Sequence, residues 1–143
     1  MIFQVFPLLE KSIFLDANTH SFSIPLIPPS VNHYKRPRLN QDLTRGFYKT
    51  AEAQAFIDAV CMLSGRQPIA GEYFSVEMEF YLHSSDFLRC DVDNFSKVCC
   101  DALTDAGLIP DDRYITDLTL TKRRARDAQD VRTVYLVRGR EQL

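Results

Sequence analysis

The fold is decided by the stretch YFSVEMEFYL, residues 73–82. Apolar and polar side chains alternate along it, and its apolar members are Phe74, Val76, Met78, Phe80 and Leu82. Successive side chains of a strand point to opposite faces of the sheet, so one face of this segment would be apolar and the other polar. The sequence therefore predicts a half-buried strand here.

Helical periodicity is found on both sides of this strand. Upstream, Thr50 is suited to cap a helix that runs to Leu63, with Phe56, Val60 and Leu63 on its apolar stripe and Gly65 ending it. Downstream, apolar residues recur at the i, i+3, i+4, i+7 spacing of one helix face from about Asp93 to Ala106, where Gly107 ends the pattern. These apolar residues are Phe95, Val98, Cys99, Ala102, Leu103 and Ala106.

Further strands are predicted nearer the ends of the chain. FSIPLI, residues 22–27, has the composition of a strand and is stopped by Pro28 and Pro29, which have no N–H to donate to a ladder. A basic loop to about Lys49 follows. RYITDLTLTKRR (113–124) and VRTVYLVR (131–138) are expected to form a β-hairpin. The order β-α-β-α-β-β predicts an α+β fold, a single domain with a mixed or antiparallel sheet and two main helices.

Length and composition fit one ordinary globular domain, with 143 residues of which 45% are hydrophobic and 25% charged. The four cysteines have neither zinc-site spacing nor the density of a disulfide scaffold, so we expect reduced thiols in a cytoplasmic protein. Residues 1–21 lack the features of a signal peptide, and their apolar runs are too short for a membrane helix. We interpret them as an N-terminal extension, with a strand or hairpin favoured, before a main domain of residues 22–143.

Charge is unevenly distributed although the net charge is only -2. Residues 22–49 hold five basic residues and one acidic, residues 86–112 two basic and seven acidic, and residues 113–140 eight basic and three acidic. An acidic centre between basic segments is typical of a site that holds cations while its surroundings hold phosphates. Segregated, solvated faces without function remain the alternative.

The acidic segment contains the candidate catalytic residues. Asp91 and Asp93 are two positions apart on the segment leading into the second helix, and Lys97 and Asp101 follow at one-turn intervals. Closely spaced carboxylates repel each other, and a hard divalent cation relieves that repulsion. After Gly107 the chain can bring Asp111 or Asp112 back towards them. Each residue also has a structural interpretation: Asp93 or Asn94 as a helix cap, Asp93 and Lys97 as an i,i+4 pair, and Asp111-Asp112 as a turn.

Three motifs in this order resemble the RusA family of phage and prophage Holliday junction resolvases, over about residues 22–138. They are PPSVN (28–32), DVDNFSKVCCDALTDAG (91–107) and Asp111-Asp112. The resemblance implies a RusA-like fold and a homodimeric endonuclease that cuts four-way DNA junctions with Mg²⁺, or Mn²⁺ as a substitute, in recombination and repair. We expect no membrane association and no small-molecule cofactor.

Site residues are carried over by position. Asp91, Asp93 and Asp112 match the metal-binding catalytic aspartates, and Lys97 matches the catalytic lysine. The expected DNA contacts are Asn32, Lys35, Arg36, Arg89, Lys122, Arg123 and Arg124. Family members can carry an arginine run before the first aspartate, where this chain has only Arg89 within DFLRC (86–90). A branched-DNA-binding protein with little or no cleavage, and a protein whose carboxylates merely bind a cation, are therefore alternative hypotheses.

Overall fold

The computed structural model of the chain describes residues 13–30, 35–39 and 45–141. In chain order it forms β1 (Ile13–Asp16), β2 (Thr19–Ile24), β3 (Lys35–Leu39), β4 (Arg45–Lys49), α1 (Ala51–Leu63), β5 (Tyr73–Leu82), α2 (Ser96–Asp105), β6 (Ile115–Arg124) and β7 (Arg132–Arg140). Short 3-10 turns span Val92–Phe95, Asp112–Tyr114 and Ala128–Asp130. No helix in these ranges is long and apolar enough to cross a membrane.

Five strands form one mixed sheet in the order β1-β2-β7-β5-β6. β5 and β6 run parallel, and α2 lies in the connection between them, while the other neighbouring pairs are antiparallel. Parallel neighbours need a long crossover, and the segment that contains α2 supplies it. The predicted α+β class with a mixed sheet and two helices is confirmed.

The predicted hairpin between residues 113–124 and 131–138 is wrong. Both segments are strands, β6 and β7, but they lie on opposite sides of β5 and do not pair with each other. β5 is apolar on one face over its whole length, with its five predicted inward residues all buried, so it belongs in the interior of the sheet. Two strands that follow each other in the sequence often form a hairpin. Here an interior position for β5 requires a strand on each side of it, and β6 and β7 are those strands.

Three further observations concern the N-terminal third of the chain. β2 begins at Thr19 and ends at Ile24, before Pro25, so the predicted strand 22–27 is displaced towards the N-terminus. The predicted domain boundary after residue 21 falls inside β2, and β1 pairs with β2 in the main sheet. The predicted basic loop contains an antiparallel ribbon, β3 paired with β4. Its strands were not predicted because the segment is rich in basic residues.

The two helices agree with the sequence. Thr50 caps α1 by accepting a hydrogen bond from the Ala53 N–H at 3.3 Å, and Phe56 and Val60 are buried, although Leu63 is exposed. All six apolar residues predicted for the second helix are buried. Its start differs, because the α-helix begins at Ser96 after the 3-10 turn. All four cysteines are free thiols, as expected.

The core holds α2 firmly against the sheet. The rings of Phe95 and Phe80 are 5.0 Å apart, which fixes the start of α2 on β5. The Tyr135 hydroxyl of β7 donates to the Cys99 carbonyl at 3.1 Å. Because Val98, Cys99 and the following apolar residues face the sheet, Lys97 and Asp101 lie on the opposite, solvent-accessible side of α2.

Candidate active site

Lys97 joins two carboxylates at the surface of α2. Its Nζ donates to Asp101 Oδ1 at 3.2 Å, one helical turn away, and lies 3.5 Å from Asp112 Oδ2. The first contact belongs to one helix, whereas the second connects α2 to the turn that precedes β6. The structure thus brings Asp112 to the acid-base stripe that the sequence predicted, and the three residues are called the open cluster below.

The chain reversal after α2 places Asp112. Gly107 adopts a left-handed φ of 76°, and the Leu108 N–H bonds to the Leu103 carbonyl at 3.1 Å, which together form a Schellman motif. Leu108 and Ile109 are then buried and anchor the returning chain. The turn at Asp112 is therefore held next to α2 by packing and not by the ion pair alone.

Asp111 and Asp112 have different roles. The Asp111 carboxylate accepts a hydrogen bond from the Arg113 N–H at 2.9 Å and so caps its own turn. That bond, followed by interaction with Asp112, lowers the pKa of Asp111. Asp112 faces Lys97 instead. Of the two candidates that the sequence offered, Asp112 is the one in the cluster.

The carboxylates beside Lys97 favour its charged form. The hydrogen bond to Asp101, together with the charges of Asp101 and Asp112, raises its pKa above the ordinary value despite partial burial. Its side chain is 52% exposed, and those of Asp101 and Asp112 are 21% and 35% exposed. A positive charge with two carboxylates beside it is thus accessible to an incoming phosphate.

Asp91 and Asp93 lie on the segment that leads into α2, and both are exposed. Asp91 precedes the 3-10 turn but its side chain makes no capping hydrogen bond, and α2 itself has no side-chain cap. The interpretation of Asp93 or Asn94 as a helix cap is therefore wrong, and Lys97 pairs with Asp101 and not with Asp93. Both carboxylates are available to solvent.

The aspartates do not form a ready-made metal cage. Across the part of the chain that the structure describes, no three His, Cys, Asp or Glu side chains form a group that could hold a metal ion. The assignment of Asp91, Asp93 and Asp112 as ligands therefore stays a prediction. Their chemistry suits a hard cation, since they are carboxylates that solvent can reach.

A surface depression of about 280 Å³ lies beside the open cluster. Its lining residues are Ser96, Lys97, Cys100, Asp112, Ile115, Thr116 and Leu118. Burial, and then the charges of Asp112 and Asp101, raise the pKa of Cys100 to about 11, so it is a neutral thiol at neutral pH. We did not single out Cys100 from sequence, although its position three residues after Lys97 places it on a neighbouring part of the helix surface.

The predicted DNA-contacting residues are spread over three regions. Asn32 lies outside the described residues, and Lys35 and Arg36 belong to β3 in the ribbon. Arg89 is exposed in the loop between β5 and the 3-10 turn, two residues before Asp91. Its position beside a candidate catalytic aspartate is compatible with a phosphate contact.

The three basic residues at the end of β6 have protein partners. Lys122 donates to two backbone carbonyls, and the Arg124 guanidinium lies 4.9 Å from the centre of the Phe87 ring. Arg123 points to the opposite face of the sheet and pairs with Glu79, whose carboxylate also accepts from Tyr81. These three adjacent basic residues are therefore divided between the two faces of the sheet.

The site residues lie within a segment that matches a known family. Residues 27–133 match the family model described as endodeoxyribonuclease RusA. The chain is 35% identical over 106 residues to the crossover junction endodeoxyribonuclease RusA of Escherichia coli strain K12, covering 73% of this chain and 83% of the relative. The same values hold for proteins of that name from Enterobacteria phage 82 and Shigella sonnei strain Ss046.

This chain belongs to the RusA family. The match confirms the family resemblance and the enzyme class that the sequence predicted. All the candidate catalytic residues fall inside the matched segment, whereas β1 and β2 precede it. β7 continues beyond the end of the matched segment, and β2 pairs with it from Thr19 to Ile24, so the chain on both sides of the segment shares one sheet with β5 and β6.

Proposed function

We propose that this RusA-family chain is a magnesium-dependent endonuclease that resolves four-way DNA junctions by phosphodiester hydrolysis. The observation that carries the proposal is the open cluster, in which Lys97 lies between Asp101 and Asp112 at the surface of α2. Further support comes from the matched relatives, which are named crossover junction endodeoxyribonucleases. Phosphoryl chemistry at a negatively charged backbone needs positive charge near the reacting phosphate, which Lys97 can supply, and carboxylates beside it that can hold a metal ion.

The contacts of Lys97 are weak enough to be exchanged. Ion pairs at exposed side chains contribute only about 0–1 kcal/mol, so a DNA phosphate can compete with Asp112 for the ammonium. When Lys97 turns to a phosphate oxygen, its charge offsets the negative charge that develops there, and Asp112 becomes free to accept another cation. Asp101 remains one helical turn away on α2, and its hydrogen bond with Lys97 limits the positions that the lysine side chain can reach.

The aspartates would hold the magnesium ion. Mg²⁺ commonly binds through one or two carboxylates, several waters and a substrate phosphate, so a ready-made cage of three carboxylates is not needed. Asp91, Asp93 and Asp112 supply exposed or half-exposed oxygen donors of the right type. When bound, the ion supplies a nucleophilic water near neutral pH and stabilises charge on the reacting phosphate.

The active form is proposed to be a homodimer. Paired cuts across a junction need two active sites related by a two-fold axis, and each chain contributes one set of candidate residues. Light scattering should give twice the 16.5 kDa chain mass at micromolar concentration. A stable monomer that retains full junction cleavage would contradict this part of the proposal.

One observation favours a second function, the binding of branched DNA with little turnover. The loop before Asp91 carries a single arginine, Arg89, and exposes Leu88 instead of further basic side chains. Reduced positive charge beside the scissile phosphate would slow cleavage while the other basic segments still bind the junction.

A synthetic four-way junction distinguishes these functions. Labelled junction and a linear duplex of the same sequence are incubated with the protein in Mg²⁺, with Asp112→Asn as a control for contaminating nuclease. We expect paired nicks in opposite strands of the junction only. A mobility shift in Ca²⁺ without any nicking in Mg²⁺ would support the second function, and the absence of both would overturn the proposal.

A further inference from the structure

The loop that leads to Asp91 is attached to β6 by one lysine. Lys122 Nζ donates to the Phe87 carbonyl at 2.7 Å and to the Cys90 carbonyl at 2.8 Å. Cys90 is the residue directly before Asp91, so the second bond ends one peptide unit from a candidate catalytic residue. We propose that Lys122 is a positioning residue that holds Asp91 in place, and not a DNA contact.

The register of the sheet and the partial burial of Lys122 favour these two bonds. Lys122 pairs in register with Phe80 of β5, and its side chain extends on the same face of the sheet as that buried ring. It is partly buried, and a cation withdrawn from water needs its hydrogen bonds supplied by the protein. Two carbonyls accept two of the three hydrogen bonds that the ammonium can donate, so at most one N–H is left for any other acceptor.

The ring of Phe87 strengthens the attachment. Lys122 Nζ lies 5.1 Å and the Arg124 guanidinium 4.9 Å from its centre. Residues two apart on a strand face the same way, so both cations reach the same ring of the loop. The Ala125 N–H also bonds to the Leu82 carbonyl at 2.8 Å, which joins the two ends of the strands where the loop begins.

Arg123 provides the matched control within the same strand. It is the adjacent basic residue, but it faces the other side of the sheet and pairs with Glu79. Removing Arg123 therefore takes away the same charge without touching the loop. The contrast between Lys122→Met and Arg123→Met distinguishes the loss of the Lys122 contacts with the loop from the general effect of one lost positive charge.

The consequence for function rests on the proposed role of Asp91 as a magnesium ligand. Loss of groups that orient metal ligands typically reduces metal affinity or activity by about 10–100-fold. In Lys122→Met we expect the Mg²⁺ concentration for half-maximal junction cleavage to rise about tenfold, with partial rescue by excess Mg²⁺. Junction affinity measured in EDTA should stay within about twofold of wild type, with an unchanged salt dependence.

Hydrogen exchange tests the loop without DNA or metal. The Asp86, Arg89 and Asn94 N–H groups are hydrogen-bonded within the loop and the following turn. In Lys122→Met these amides should exchange faster than in wild type, whereas Arg123→Met should leave them unchanged. Lys122→Arg keeps the charge but cannot place one nitrogen between the two carbonyls, so an intermediate rate is expected, and this variant replaces Lys122→Met if the latter does not fold.

The outcomes separate this inference from the proposed function. Wild-type protein that does not cut junctions would overturn the proposed function, while the exchange experiment would still decide the attachment of the loop. Normal loop exchange and a normal Mg²⁺ requirement in Lys122→Met would overturn the inference alone. Weaker junction binding with a shallower salt dependence would show that Lys122 contacts DNA.

Discussion

The open cluster of Lys97, Asp101 and Asp112 and a second cluster around Asp130 are built from the same kinds of side chain, but they differ in exposure and in charge balance. In the open cluster one cation serves two carboxylates, and its lysine is 52% exposed. In the second, called the closed cluster, Asp130 is bonded by Arg126 and Arg132, and the side chains of Asp130 and Arg132 are 7% and 6% exposed.

The closed cluster directs its contacts into the protein. Asp130 accepts from the Arg126 N–H at 2.8 Å, and the Arg132 guanidinium lies 3.8 Å from the centre of the Tyr81 ring. Burial by itself would raise the pKa of Asp130, but the hydrogen bonds from Arg126 and the charge of Arg132 lower it. Such a cluster stabilises a turn. The open cluster keeps an excess carboxylate and access to solvent, which a reaction can use.

The largest effect is expected for Asp91→Asn, Asp93→Asn and Asp112→Asn. Each substitution keeps the shape but removes a charge that would hold Mg²⁺, so junction cleavage should fall about a hundredfold or more. Binding in EDTA at low salt should be unchanged or tighter, since the lost carboxylate no longer repels phosphates. Single-turnover cleavage and mobility shifts measure the two effects.

Asp111→Asn is the control for this series, because Asp111 caps its own turn and does not pair with Lys97. It should retain cleavage. Loss of activity in Asp111→Asn but not in Asp112→Asn would place the third ligand one residue earlier. Full activity in all three principal variants would show that Asp91, Asp93 and Asp112 do not form the active site.

Lys97→Ala should separate turnover from binding. Loss of the lysine's positive charge beside the reacting phosphate can raise the activation free energy by several kcal/mol, so cleavage should fall about a hundredfold. Junction affinity should change little, because one contact is a small part of the whole DNA interface. Arg36→Ala, in β3 of the ribbon, should do the reverse, weakening affinity and lowering the slope of its salt dependence by about one. Equal losses of binding and cutting in both variants would contradict the division of roles.

Asp130→Asn tests the closed cluster through stability. Removing one partner of a buried pair costs about 3 kcal/mol, whereas Asp101→Asn in the open cluster should cost less than about 1 kcal/mol. The lowered pKa of Asp130 means that its contribution is present above the unfolded-state pKa of about 3.9 and is lost as the pH falls through the folded-state value. Urea unfolding should therefore give a large difference in the free energy of unfolding between wild type and Asp130→Asn at neutral pH, and a smaller difference at acidic pH.

The smallest effect concerns Cys100. Burial is the main cause of its raised pKa, and the charge of Asp112 comes next. Asp112→Asn should therefore lower that pKa and accelerate alkylation of Cys100 by up to about fivefold at pH 8.5, since interactions of about 1 kcal/mol change an equilibrium by that factor. Mass spectrometry of the alkylated peptide measures the rate, and an unchanged rate would mean that Asp112 does not act on the thiol.

Local periodicity was sufficient for the elements that carry the site. The alternation of residues 73–82, the Thr50 cap and the apolar stripe of α2 were all predicted, because each depends on neighbours within a few residues. The stripe of Lys97 and Asp101 followed from the same periodicity. The β3–β4 ribbon was missed, since its basic residues resemble those of a loop.

The sequence by itself determined the residue types of the site, their helical spacing and the family to which the chain belongs. Only the tertiary structure decided which segments meet. It placed β5 between β6 and β7, selected Asp112 over Asp111 beside Lys97, and assigned Lys122 to backbone carbonyls. Strand order and the direction of an individual side chain depend on contacts between distant segments, which local spacing does not encode.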